Sequence, residues 1–298
     1  MRNICYIINP IAGTRAKKDL QAFIETATTK AGIPFMILPS VADGNYDFLH
    51  PIIKEKKITD VVVAGGDGTV SQVVNGLMKL DVNIGIIPCG SGNGLAYTAG
   101  IPKDPAKALK IVFAGRSART DGFYLNDHFA CMLCGLGFDA KVAHDFAQQP
   151  KRGLSTYVKQ VVRNFFGAKT FPFDITVGGK TFSTDAYFIS IANSNQFGNH
   201  FTIAPAASLS DGLLDIVIVT KQNKLSMILQ TLKQVRGKNK LVPESVIDDT
   251  KAVIYFQTNQ LHIQNKAEAY LHIDGDPAET SKEIKVQVLA NCFKLLQP

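Results

Sequence analysis

The stretch "DVVVAGGDGTVSQVVNGL", residues 60–77, sets Asp67 among three glycines where an apolar run gives way to helical spacing. Gly65, Gly66 and Gly68 relieve the backbone of Cβ contacts, so the chain can turn tightly and approach a ligand. A helix starting here offers unpaired N–H groups and the positive end of its dipole, which together favour phosphate. A carboxylate beside phosphate is repulsive unless it meets a divalent cation or a proton to be removed. Phosphoryl transfer needs both. An isolated D-G reads as a turn capping its own backbone, but the flanking glycines and the strand–helix setting favour a phosphate site. Thr69, with Gln72 three residues on, has the spacing of a capping box. Val70, Val73, Val74 and Leu77 give the helix a buried face.

A second glycine-rich turn, "IIPCGSGNGLA", also follows an apolar strand pattern. Gly90, Ser91, Gly92 and Asn93 could supply N–H groups and a hydroxyl to the same phosphates. Asn9-Pro10 with Gly13 marks a third turn after the first strand pattern. Turns at the carboxyl ends of neighbouring parallel strands form the nucleotide cleft of open α/β sheets. No G-x-x-x-x-G-K-[ST] loop occurs. "GLGFDA", residues 135–140, fits a dinucleotide fingerprint by letter, yet the acidic residue due about twenty positions on is absent and Lys159 lies near there.

The elements that must position these turns follow from patterning. Through about residue 120, strand and helix patterns alternate, which predicts a parallel sheet covered by helices. After about Gly122, short strand candidates bounded by turn residues take over, and "VGGK" between two of them reads as a hairpin. Two helical interruptions stand out, roughly 153–167 and 223–236. The expected fold is α/β plus β: a parallel domain over 1–122, then an antiparallel β-rich domain over 123–285. A chain of 298 residues with 46% hydrophobic and 19% charged residues suits two packed domains.

Composition bounds the partners. No run of eighteen apolar residues occurs, and the N-terminal "MRNICYIINPIAG" reads as a first strand rather than a signal peptide. Five cysteines form no disulfide framework, and an odd number in apolar surroundings suits a cytoplasmic setting. If "FACMLCGLG" is a strand, Cys131 and Cys134 face opposite ways and cannot share a metal. The formal charge of +7 and the pI near 9.1 point to nucleic acid, an anionic membrane or acidic small molecules. No zinc-finger or RRM signature supports nucleic acid.

"GGDGTVSQVVNGL", "IPCGSGNGLA", the early "NPIAG", and the later "GLGFDA" and "HIDGDP" together resemble the diacylglycerol kinase catalytic-domain family, including bacterial soluble lipid kinases and sphingosine and ceramide kinases. The likeness runs in order along nearly the whole chain. It implies a phosphofructokinase-like α/β domain and a β-sandwich-like domain, with ATP and lipid bound in the cleft between them. It also implies a final segment, about 286–298, that returns to the first domain. Carried over by position, Gly65 to Ser71, Val70 included, cradle ATP phosphates. Ser91, beside Gly90, matches the family's serine or threonine, Asn9 its first-strand asparagine, and Ser40 a nucleotide contact of bacterial members.

The family's D-G-E stands here as Asp274-Gly275-Asp276, so Asp276 inherits the general-base role with a side chain one methylene shorter. Sphingosine kinases credit the aspartate of the first glycine turn, which makes Asp67 the competitor. "SLSDGLLDIVIV" resembles the family's structural magnesium loop, with Asp211 as carboxylate ligand and the carbonyls of Ser208 and Leu213 beside it. Asp139 matches a position near the lipid head group. The resemblance therefore implies an ATP- and Mg²⁺-dependent kinase phosphorylating a lipid hydroxyl, of diacylglycerol or a long-chain base, from the cytoplasm at the membrane surface. Lys151 and Arg152 precede a helix. Lys233, Arg236, Lys238 and Lys240 end another, and contact with an anionic bilayer is weighed there against a solvated helix end. Oligomerisation stays open. NAD kinase, which shares the GGDGT turn, and an inactive nucleotide- or lipid-binding regulator are the alternatives.

Overall fold

A computed structural model describes residues 2–10, 17–150, 153–196 and 201–298. Gly13, Lys151 and Arg152 lie outside them. The chain divides into two compact units, residues 1–120 with 291–298, and residues 121–290.

The first unit alternates strand and helix: β1 (Ile4–Ile8), α1 (Lys17–Lys30), β2 (Phe35–Pro39), α2 (Leu49–Lys56), β3 (Asp60–Gly65), α3 (Asp67–Leu77), β4 (Asn83–Pro88), α4 (Gly94–Thr98) and α5 (Pro105–Ala114). Its strands pair in parallel in the order β2-β1-β3-β4. All five residues of β1 and all six of β3 are buried, as a sheet covered on both faces requires. Helix α5 starts at Pro105 behind Asp104, whose carboxylate accepts the Lys107 N–H, and stops at left-handed Gly115. At the amino end of the sheet the buried Asp60 carboxylate accepts from Arg2 Nε at 3.0 Å, Thr59 Oγ1 at 2.6 Å and Asn83 Nδ2 at 3.0 Å. It is a satisfied structural ion pair at the opposite edge from the glycine turns.

The second unit runs through the greater part of β5 (Ser117–Leu125), β6 (His128–Ala130), β7 (Leu133–Gly137), α6 (Phe138–Ala147), α7 (Leu154–Gly167), β8 (Phe171–Val177), β9 (Lys180–Ala192), β10 (Leu214–Thr220), α8 (Lys224–Val235), β11 (Val253–Thr258), β12 (Gln260–Asn265), β13 (Leu271–Ile273), β14 (Asp276–Ala278) and the greater part of β15 (Glu283–Leu296). Its pairings are antiparallel. The first half of β9 pairs β8, and its second half lies between β7 and β10. One long strand thus joins two sets of strands around a core that includes Phe123, Phe173, Ile189, Ile216 and Phe256. The "VGGK" turn is the β8–β9 hairpin, with both glycines at positive φ. The last residues of β15 pair β4 in parallel, Lys294 with Asn83 and Leu295 with Ile84, inside the first unit.

Besides the two expected helices, α7 and α8, the second unit contains α6, which the sequence reading missed. "GLGFDA" reads on as strand, but positive φ at Gly137 ends β7, and helix follows directly. Among the described residues, no helix is long and apolar enough to cross a membrane. Cys5, Cys131 and Cys134 are buried and Cys89 and Cys292 partly exposed, none of them in a disulfide.

Candidate functional site

The registers Ile8↔Pro39, Ile8↔Ala64 and Gly65↔Pro88 bring the carboxyl ends of four strands level. One edge of the first unit therefore carries Asn9, Ser40, Gly66 and Gly90. Backbone bonds carry the pairing one residue further: Asn9 N–H to Ala64 O, Ser40 N–H to Ile8 O and Cys89 N–H to Gly65 O, each 2.9–3.0 Å. Asn9 Nδ2 donates to Thr69 Oγ1 at 2.8 Å and ties the first turn to α3. The loop after Ser40 lies along α3, where a Cβ on Gly76 would stand 2.9 Å from Tyr46 Cβ.

Gly66 and Gly90 touch. A Cβ built on Gly90 would sit 2.7 Å from Gly66 Cα and 2.9 Å from Asn93 Oδ1. Asn93, left-handed at φ 59°, closes its own turn: Oδ1 accepts the Gly90 N–H and Nδ2 donates to Gly90 O, both at 2.8 Å. The two glycine turns are thus one packed surface, which only glycines allow. Gly90→Ala is expected to part them and cut kcat/KM about a hundredfold, the cost of ~1 Å of misplacement. Steady-state kinetics beside a melting curve would check this, with a near-normal melting temperature expected.

Helix α3 begins at Asp67 behind an extended Gly66, three residues earlier than a capping box at Thr69 requires. That box is absent because Thr69, as third helical residue, bonds to Asn9 instead. The earlier start puts Asp67, Gly68 and Thr69 in the first turn, whose N–H groups have no intrahelical acceptor and face the sheet edge's ligand side. The Val70 N–H donates to Gly66 O at 3.1 Å and its side chain is buried. Ser71 is buried as well. The Asp67 carboxylate accepts the N–H of Gly94 at 3.2 Å and, more weakly, that of Leu95 at 3.4 Å. It holds the start of α4 and with it the second turn, a task the sequence did not reveal because the partners lie 27 and 28 residues away.

In the second unit, "HIDGDP" forms the β13–β14 hairpin, with Asp274 at φ 49° and Gly275 at φ 86° as its two turn residues. Asp274 is buried. Its Oδ2 accepts from Cys131 N–H at 3.1 Å, and its Oδ1 from Met132 and Leu133 N–H at 2.9 and 3.0 Å. Asp274, which the resemblance also sets among the nucleotide contacts, anchors the hairpin through these three bonds. Asp276, next in the chain after Gly275, is exposed.

Asp139, in the first turn of α6, is buried over Gly135, with Oδ2 3.5 Å from His272 Nε2 and Oδ1 accepting its neighbour's N–H. A Cβ on Gly135 would fall 2.1 Å from Asp139 Oδ2. This explains the GLG glycine without any dinucleotide. Asp139 Oδ2 is buried, accepts no hydrogen bond and lies within ion-pair distance of His272.

The loop 208–213 is gripped by Asp121, which the sequence reading missed. Its N–H donates to Leu209 O, and its Oδ2 accepts the Gly212 N–H, both at 2.7 Å. Burial, and then the Asp121 charge, push the Asp211 carboxyl up, the electrostatics that a divalent cation relieves. Among the described residues no group of three or more acidic, His or Cys side chains is placed to hold a metal. A cation here would draw on the Asp211 carboxylate and the Ser208 and Leu213 carbonyls, an oxygen donor set suited to Mg²⁺.

Nearby Asp215 is buried under Tyr255 and Gln257, and burial lifts its carboxyl to about 6. The unfolded chain releases that proton near pH 4, so folding takes up a proton between those values. Stability contributed by Asp215 should rise as pH falls from about 7 toward 4. Urea unfolding in EDTA at pH 5 and 7.5 would show the gain, and Asp215→Asn should flatten it.

A parallel unit with interlocked glycine turns is followed along the chain by an antiparallel β unit. The chain belongs to the diacylglycerol kinase family: residues 3–124 match the diacylglycerol kinase catalytic domain, and residues 133–297 match the YegS C-terminal NAD kinase beta sandwich-like domain. It is 26% identical over 285 residues to "Diacylglycerol kinase" of Bacillus subtilis, covering 93% of this chain and 90% of that one. It is 28% identical over 250 residues to "Probable lipid kinase YegS" of Salmonella typhimurium, covering 81% and 79%. A crystal structure of a diacylglycerol kinase from Bacillus anthracis matches with a TM-score of 0.74 at 20% identity, over 100% of this chain and 97% of that one, and shares the fold.

Proposed function

We propose that this protein transfers the γ-phosphate of ATP, with Mg²⁺, to the hydroxyl of a membrane lipid, diacylglycerol or a long-chain base. The observation that carries the reading is the packed pair of glycine turns, where Gly66 and Gly90 leave no room for a side chain and the first-turn amides of α3 lie at the sheet edge. Asn9, Ser40, Thr69 and Ser91 border the same edge and suit a phosphate chain. Mg²⁺ would neutralise charge on the phosphates.

In the reaction the acceptor oxygen forms a bond to the γ-phosphorus, the bond to the ADP oxygen breaks, and the hydroxyl proton passes to a carboxylate. Asp276 is the candidate base, exposed and placed by a hairpin that Asp274 anchors. Asp139, buried beside His272, is a candidate for a lipid head group by its place in the family's motif. ADP release in mixed micelles tests the reading. Micellar diacylglycerol or sphingosine should stimulate it well above the rate with detergent alone. Equal rates in both would oppose it.

A further inference from the structure

Two helices of the second unit turn apolar side chains to solvent. On α7, Val158, Val162 and Phe166 recur every four residues, and Phe166 is 75% exposed. On α8, Leu225, Ile228, Leu229 and Leu232 fall at i, i+3, i+4 and i+7, with Leu225 68% exposed. Each set is one helical face, of the kind normally turned inward. The helices adjoin: Lys224, first residue of α8, donates its Nζ to the carbonyls of Phe165 and Phe166 and stands 5.7 Å over the Phe165 ring. That bond also satisfies the last turn of α7.

Charge tells what these faces meet. Residues 146–173 and 216–243, the two helices with their flanks, hold eleven of the 32 Lys and Arg and none of the 25 Asp and Glu. The remainder has 21 basic and 25 acidic residues, a net charge of −4, so the whole positive excess of the protein lies on these segments. Lys159 and Arg163 sit between the apolar positions of α7, and Lys233, Arg236, Lys238 and Lys240 follow those of α8, all exposed. Apolar faces framed by cations alone match the interface of an anionic bilayer. A second copy of this chain would bring like charge against like.

We propose that the exposed faces of α7 and α8 are the membrane-docking surface, with apolar side chains entering the acyl boundary and the basic residues on anionic head groups. The proposal rests on the lipid-kinase reading only for its purpose, and its test is independent of catalysis. Co-sedimentation is measured with vesicles of phosphatidylcholine alone and of phosphatidylcholine with phosphatidylglycerol. Wild type should bind the anionic vesicles at least tenfold more tightly than the neutral ones, and less as salt rises. Val162→Ser with Phe166→Ser, and separately Leu225→Ser with Leu229→Ser, should each weaken binding tenfold or more. Lys233→Gln with Arg236→Gln and Lys238→Gln should weaken it roughly fivefold per residue and blunt the salt dependence.

Wild type left in the supernatant with both vesicles, or variants binding as wild type does, would overturn the proposal. So would a wild-type dimer in sedimentation equilibrium that the serine variants convert to monomer, which would make the face a contact between copies. Transfer to a short-chain acceptor dissolved as monomers should be unchanged in all variants. Its absence in wild type, with vesicle binding intact, would count against the kinase reading and not against this surface.

Discussion

Asp67→Asn is expected to lower the rate of phosphate transfer about a thousandfold while leaving the acid limb of the pH–rate profile in place. The carboxylate accepts the Gly94 and Leu95 N–H groups and so holds the second glycine turn against the first. An amide in its place turns a donor toward one of those donors, and the turn shifts. Such a shift costs on the order of a hundredfold, and the loss of a carboxylate charge that would meet the Mg²⁺ of the nucleotide adds ~tenfold. Asp276→Asn should behave differently. If Asp276 takes the hydroxyl proton, its removal lowers the rate and also erases the acid limb, because that limb reports the base. The two profiles, measured at saturating ATP, separate the carboxylates. A lost limb in Asp67→Asn with a retained one in Asp276→Asn would make Asp67 the base.

Asp274→Ala is expected to cost stability rather than chemistry, by about 4 kcal/mol or more, since three backbone N–H groups lose their acceptor at about 1–3 kcal/mol each. Asp274→Asn keeps the oxygen that serves Met132 and Leu133 and loses the one that serves Cys131, so roughly a third to a half of that cost should remain. Both residue types tolerate the left-handed turn position at φ 49°. Urea unfolding of the three proteins would show the order wild type, Asn, Ala. A loss under about 1 kcal/mol in the alanine variant would mean that the hairpin is held by other contacts.

What could be read from the sequence follows from the range of the interactions. Strands β1, β3 and β4 are apolar runs closed by turn residues, so local pattern was enough to find them and to level their ends. The glycines at 66 and 90 announced two turns, but not that the turns touch, because that contact joins residues 24 apart and depends on strand register. Asp67 was legible as unusual and not as the anchor of α4, for the same reason. The Thr69–Gln72 spacing misled, since helix start is decided by Gly66's extended backbone and by Asn9 drawing the threonine hydroxyl away. Helix α6 was hidden behind "GLG", whose letters suit a strand until Gly137 takes a φ that ends one. Asp121 was invisible because nothing near it in sequence suggests the loop it grips. The exposed faces of α7 and α8 could have been suspected: their spacing is plainly amphipathic, but only burial shows that the apolar side is the outer one.

The most direct measurement of the central claim is transfer of γ-labelled phosphate from ATP in the presence of Mg²⁺, with diacylglycerol, sphingosine and NAD offered separately in mixed micelles and the products resolved. The account predicts label in one lipid, none in NAD, and the signal reduced about a thousandfold in Asp67→Asn. Label in NAD, or no label in any acceptor by a protein that still binds ATP, would contradict it.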